Sequence, residues 1–378
     1  MADRAKARGE MTELGWRKKR AGQRLLLGVG GPALTMDERR LFRALQPAGF
    51  ILFARNVVEP AQVKELHREL EDLLDRGSPP LLSVDQEGGR VLRVRNTPWP
   101  SMRTVGRVDD LATTRRVGRA MGDELRAMGF NLNFAPVADV DSNPKNPIIG
   151  DRAFSPRAER VAAHAGAYLQ GLTNAGVLGC AKHFPGHGDT TVDSHKDLPV
   201  VDKDRGDVRE VELVPFQALV RAGVGMVMTS HVMFPAFDDE HPATMSRPVL
   251  HGLLRKDLGF QGVVISDDLE MKAVRGRWPL PRVLDLACRA TVDLFCIGRS
   301  FEPGLEHVEE AYEALVQLQE DDNRHDRLAE RSGRRLQALR ERGLLGRGPP
   351  PPLSVVGSAE NRMLAAWLLA EGGDGGRA

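Results

Sequence analysis

The chemistry in this chain gathers in the stretch KHFPGHGDTTVDSH, residues 182–195, which holds three of its ten histidines and two aspartates. Three readings fit those residue types. As metal ligands, His183, His187, Asp189, Asp193 and His195 offer nitrogen and oxygen donors of the kind that barrel metallohydrolases collect. Against this, Phe184-Pro185-Gly186 between the first two histidines forbids the helical spacing of an HExxH pair. As a structural loop, the segment needs internal polar partners, and His187 and Asp189 suit hydrogen bonding to loop backbone. As a proton-transfer site, Asp193-Ser194-His195 places a carboxylate two residues from an imidazole. In extended chain both then face the same way. A carboxylate-oriented histidine, titrating near pH ~6.5, donates and accepts protons at neutral pH.

A proton-transfer dyad needs a partner that attacks. ISDDLEM (265–271) supplies Asp267, whose carboxylate can attack an anomeric carbon, and Asp268, which can cap the next helix. One of each is expected, and spacing alone leaves the assignment open. Asp85 in VDQEGGRVLR can accept from vicinal hydroxyls. Arg93, Arg152 (in PIIGDRAF) and Lys182 can donate to hydroxyls, an amide oxygen or a carboxylate. The two arginines can equally pair with carboxylates such as Glu87 and Asp151.

These groups fall where strands should end. Eight short apolar runs occur: LLLGVG (25–30), GFILFA (49–54), PLLSVD (80–85), FNLNFAPVADV (130–140), VLGCAKHF (177–184), GMVMTSHV (225–232), GVVISDD (262–268) and VDLFCIG (292–298). Their near-continuous apolar character suits parallel strands buried on both faces. Between them, 61–77, 113–129, 157–176 and 207–223 repeat apolar residues at helical spacing, and several end on glycine. Eight such units predict a (β/α)8 barrel. An open doubly wound sheet has the same alternation, but no GxGxxG follows the first strand. In a barrel, Asp85, Asp139 with Asp141, Lys182 with His183, Ser230 with His231, and Asp267 with Asp268 all converge on the C-terminal rim.

Composition sets the surroundings. Lys and Arg total 53 against 52 Asp and Glu, a net charge of +1 that gives no global attraction to nucleic acid or anionic membrane. Cys180, Cys288 and Cys296 form no CxxC pair, which fits a reducing compartment, and Cys180 reads as core packing. No run of 18 apolar residues occurs, and the N-terminus lacks the apolar core of a signal peptide, so a cytoplasmic protein is expected. Residues 1–20 read as a charged, frayed arm, 21–335 as the catalytic barrel, and 336–378 as an extension. That extension carries the spacer GPPPP (348–352) and a helical patch at 359–372, docked either on the barrel or on a second subunit.

VDQEGGRVLR, NFAPVADV, PIIGDRAF, KHFPGHGDTTVDSH and ISDDLEM occur in the order found in family 3 glycoside hydrolases. The chain resembles the cytoplasmic NagZ-type β-N-acetylglucosaminidase branch over about residues 21–335. That resemblance implies a retaining exo-β-N-acetylglucosaminidase with Asp267 as nucleophile, His195 as acid/base and Asp193 as its partner. Asp85, Arg93, Arg152, Lys182 and His183 match residues that hold the sugar. It implies no metal and no cofactor, and a muropeptide substrate from cell-wall recycling. The partner expected is a small sugar or muropeptide, with neither nucleic acid nor membrane, bound by a monomer. The usual carboxylate pair about 5–5.5 Å apart is not expected where histidine is the acid. Other readings remain: a phosphorylase on the same site, a metal-dependent barrel hydrolase, or a non-catalytic sugar-binding protein.

Overall fold

The computed structural model describes residues 12–75, 77, 79–191, 197–300 and 304–373. Eight parallel strands close into a barrel: β1 (Leu25–Gly28), β2 (Gly49–Leu52), β3 (Leu81–Val84), β4 (Leu132–Asn133), β5 (Leu178–Phe184), β6 (Met226–Thr229), β7 (Val263–Asp268) and β8 (Leu294–Ile297). Each strand pairs with its sequence neighbours, and β8 returns to β1. All eight predicted runs are strands, and the (β/α)8 expectation holds.

Each strand is buried on both faces, and alternation decides which core a residue joins. Leu26, Ile51, Leu81, Leu132, Cys180, Met226, Ile265 and Cys296 fill the barrel interior. Leu27, Phe50, Leu82, Ala181, Val227, Val264 and Phe295 pack outward under the helices. Cys180 is therefore a core residue, and burial pushes its thiol well above the usual range.

The helices follow the predicted periodicity with two differences. Residues 13–20, expected to be frayed, belong to the helix Glu13–Gly22, capped by the Thr12 hydroxyl accepting from Gly15 N–H. It packs on the helices Glu306–Asp321 and Asn323–Gly343, so tertiary contact orders a stretch whose own sequence is too charged to show a stripe. The segment 207–223 is two helices, Arg205–Glu210 and Leu213–Arg221. Pro215 lies in the first turn of the second, where its missing N–H costs no helical bond.

The patch 359–372 forms the helix Ala359–Gly372, which packs on the helix Met102–Val108 of the barrel. One buried carboxylate ties it down. Glu124 accepts from Gly357 N–H and Asn361 Nδ2, both at 2.9 Å, and from Trp99 Nε1 at 2.9 Å.

Candidate active site

Period two sets the floor of the site. Leu81 and Ser83 precede Asp85, Cys180 precedes Lys182, and Ile265 precedes Asp267. One step beyond the apolar interior, the same inward-facing rows carry charge instead of methyl groups. Asp85, Lys182, His183 and Asp267 line one cavity of about 390 Å³ at the C-terminal rim, with Arg93, Arg152 and Glu87. That volume suits a small-molecule ligand. Phe53, Met228 and Met271 supply apolar wall.

A buried ion network holds the cations. Lys182 Nζ lies 2.7 Å from Asp85 Oδ1 and 2.5 Å from Glu87 Oε1. Arg152 grips Glu87 with both arms of its guanidinium, Nε to Oε2 and Nη2 to Oε1 each at 2.8 Å. Burial alone would raise the Glu87 carboxyl, but Arg152 and Lys182 hold it far below the usual range. Burial opposes the Lys182 charge, while Asp85 and Glu87 outweigh it and raise the ammonium. Arg93 Nη2 stands 3.9 Å from Asp85 Oδ2, with its guanidinium 5.9 Å from the Phe53 ring centroid. Pairing of Arg152 with Glu87 was one of the two readings its sequence allowed. Asp151 pairs with Arg90 instead.

The loop carrying Asp85 to Arg93 is a hairpin, Gln86–Gly88 against Val91–Leu92. Asn133 on β4 clamps its base, accepting from Gln86 N–H at 3.0 Å and donating to Gln86 O at 2.9 Å. Gln86 Oε1 accepts from Arg93 N–H and Val94 N–H. Gly88, at φ +103°, packs so tightly that a Cβ would sit 2.2 Å from Pro100 O, which explains the glycine there.

Asp139, fully buried, organises the next loop. Its Oδ2 lies 2.7 Å from His183 Nδ1, and Oδ1 accepts from His187 N–H at 2.7 Å. His183 Nε2 is left beside Arg152 Nη2 at 3.4 Å. Burial would raise Asp139, but the nearby His183 ring and its hydrogen bonds keep it below the ordinary carboxylate value. His187 takes the structural part expected of it. Its Nδ1 lies 2.9 Å from Thr190 Oγ1, and burial with the nearby His183 pushes the ring down to about 4. Asp189 pairs with Lys203 at 3.6 Å, and its carbonyl accepts from Asn143.

At the end of β7 the two aspartates differ. Asp268 Oδ1 accepts from Gly298 N–H and Glu270 N–H, each at 3.1 Å. Burial, with the Glu270 carboxylate beside it, pushes Asp268 up to about 7. Asp267 Oδ1 accepts from Asp268 N–H at 2.8 Å, which fixes its rotation at the cavity wall. His231, expected at the rim, braces this turn from behind, with Nε2 3.1 Å from Asp268 O. Ser230 donates to Phe184 O, and Asp141 is taken by Arg103 at 2.7 Å.

Asp193 and His195 lie outside the described residues. Among the described residues, no three His, Cys, Asp or Glu side chains are grouped to hold a metal ion. Sequence reasoning used Glu87 only as a pairing partner and gave Asp139 no task. The signal for Glu87 was its place one strand step beyond Asp85.

Residues 19–331 match the family model for the glycosyl hydrolase family 3 N terminal domain. A β-hexosaminidase of Thiobacillus denitrificans is 42% identical over 257 residues, spanning 65% of this chain and 70% of that protein. A family 3 β-N-acetylglucosaminidase from Paenibacillus sp. FPU-7 superposes with a TM-score of 0.88 at 36% identity, over 96% of this chain and 69% of that one. NagZ from Neisseria gonorrhoeae, solved with N-trifluoroacetyl-D-glucosamine, gives a TM-score of 0.72 at 28% identity, over 92% and 98% of the two chains.

Proposed function

The chain belongs to glycosyl hydrolase family 3, with β-hexosaminidases among its relatives, and on that premise we propose that it is a retaining exo-β-N-acetylglucosaminidase. The observation that carries this reading is the shared cavity. A candidate nucleophile, Asp267, lines the same cavity as an acidic acceptor, Asp85, and the donors Lys182, Arg152 and His183.

In the proposed reaction, Asp85 accepts from two sugar hydroxyls, while Lys182, Arg93, Arg152 and His183 donate to the remaining oxygens. The Asp267 carboxylate attacks the anomeric carbon as the bond to the leaving oxygen breaks. His195, oriented by Asp193, gives that oxygen its proton. Water then attacks the glycosyl ester, His195 takes the water's proton, and Asp267 leaves with its electron pair. Burial of the cations costs no reorganisation during the reaction, because Glu87 and Asp85 already fix them.

The proposed aglycone is the 1,6-anhydro-muropeptide of cell-wall recycling, acted on in the cytoplasm by a monomer. It rests on the likeness of KHFPGHGDTTVDSH to the NagZ-type branch. No helix among the described residues is long and apolar enough to cross a membrane. Incubation with an N-acetylglucosaminyl anhydro-muropeptide, followed by mass spectrometry, tests it. Free N-acetylglucosamine supports the reading. An intact substrate, alongside turnover of a chitin disaccharide, would remove the muropeptide assignment.

A further inference from the structure

A second cavity, of about 490 Å³, lies beside the N-terminal end of β8, at the opposite end of the barrel from Asp267. Two helices wall it, Pro248–Asp257 and Asn323–Gly343. Arg324, Arg327 and Arg331 recur on one face of the second helix at spacings of three and four. Arg247 and Lys256 flank them from the first. None of these five side chains forms an ion pair with a carboxylate among the described residues, although Asp322, which caps the helix by accepting from Arg324 N–H, feels the Arg324 charge.

The lining carboxylate, Asp293, cannot neutralise them. Its Oδ2 is held by Arg255 at 2.6 Å and by Val264 N–H at 3.0 Å. Its Oδ1 is held by Arg335 and Ser332, each at 2.8 Å. Every acceptor position is in use inside the wall. Partial burial and the charges of Arg247, Lys256 and Arg255 lower His251, which lines the same cavity. In a chain whose net charge is only +1, this is local concentration of like charge. Like charges at three- and four-residue spacing cost stability unless an anion bridges them.

We propose that this cavity binds a compact anion bearing two or more phosphoryl groups, either an inorganic oligophosphate or the phosphate arm of a nucleotide. Arginine forks match phosphate oxygens two at a time. No Phe, Tyr or Trp lines the cavity and His251 is its one aromatic ring, so the arginine-rich lining favours the phosphates over a base.

Calorimetric titration of the whole chain with sodium tripolyphosphate, and separately with ATP, in metal-free buffer tests this. One molecule of tripolyphosphate should bind per chain, more weakly as salt rises. Arg327→Ser with Arg331→Ser should weaken it at least tenfold. Arg334→Ser, on the same helix but lining a different groove, should change it less than twofold. Equal affinity for ATP identifies the phosphates alone as the ligand, and tenfold tighter ATP identifies a nucleotide. The double variant should melt no lower than wild type without ligand, since it loses repulsion and no ion pair, and should lose the rise in melting temperature that tripolyphosphate gives wild type. Absence of saturable binding, or equal binding by the double variant, overturns the proposal.

Discussion

Lys182 and Glu87 form an ion pair of 2.5 Å in which each side chain is only 2% exposed. Neither charge is near bulk water, so each depends on the other and on one further partner, Asp85 for Lys182 and Arg152 for Glu87. In the proposed sugar pocket, stabilisation of this kind fixes the donors before substrate arrives. It also makes the pocket intolerant of losing one partner.

Glu87→Gln keeps the shape and removes the charge that Lys182 and Arg152 share. We expect a loss of about 3 kcal/mol in unfolding free energy. KM for an aryl N-acetylglucosaminide should rise at least tenfold, with kcat less affected. The depressed Glu87 pKa means that its stabilisation is complete at neutral pH and lost as pH falls below the carboxylate range. An unchanged KM would show that Glu87 does not position the sugar-binding cations.

Two buried histidines should add to the acid sensitivity that the depressed carboxylates bring. Burial pushes His67 down to about 4, with Nδ1 2.9 Å from Met128 O, and His187 sits at about 4 as well. Both fold as neutral rings, so their stabilisation is full above the unfolded value near 6.5 and is lost as pH falls toward 4. His67→Gln should flatten the stability difference between pH 7 and pH 5 by about 2 kcal/mol. Denaturant melts at the two pH values measure it, and an unaltered difference would mean that the ring already titrates normally.

The C-terminal helix is predicted to be structural and remote from chemistry. Asn361→Ala removes one donor from buried Glu124. Unfolding free energy should fall by about 1–2 kcal/mol, with kcat/KM within twofold of wild type. A large loss of kcat/KM would connect this helix to the active site.

The neighbouring aspartates separate role from residue type. Asp268→Asn keeps an oxygen for Gly298 N–H and Glu270 N–H, so activity should fall less than about tenfold. Asp267→Asn should lose at least about a thousandfold. Comparable losses in both would deny the assignment of Asp267 as nucleophile.

Much of this was legible in the sequence, for a physical reason. Strands buried on both faces leave unbroken apolar runs, and a period of two carries Ile265 to Asp267 and Cys180 to Lys182 without reference to any distant contact. What could not be read depends on partners far apart in the chain. Asp139 meets His183 and His187 across two loops, and Arg152 meets Glu87 across 65 positions. The helix Glu13–Gly22 is ordered by packing that its own charged sequence does not announce. Spacing alone does not separate Asp267 from Asp268; the family resemblance points to Asp267, and the contact of Gly298 N–H with Asp268 Oδ1 depends on chain far from the motif.

The most direct test of the central claim is release of the aryl group from an aryl β-N-acetylglucosaminide, with EDTA present, by wild type and by Asp267→Ala. The account predicts turnover by wild type and a loss of at least about a thousandfold in the variant. Turnover unchanged by Asp267→Ala, or wild-type turnover abolished by EDTA, would contradict it.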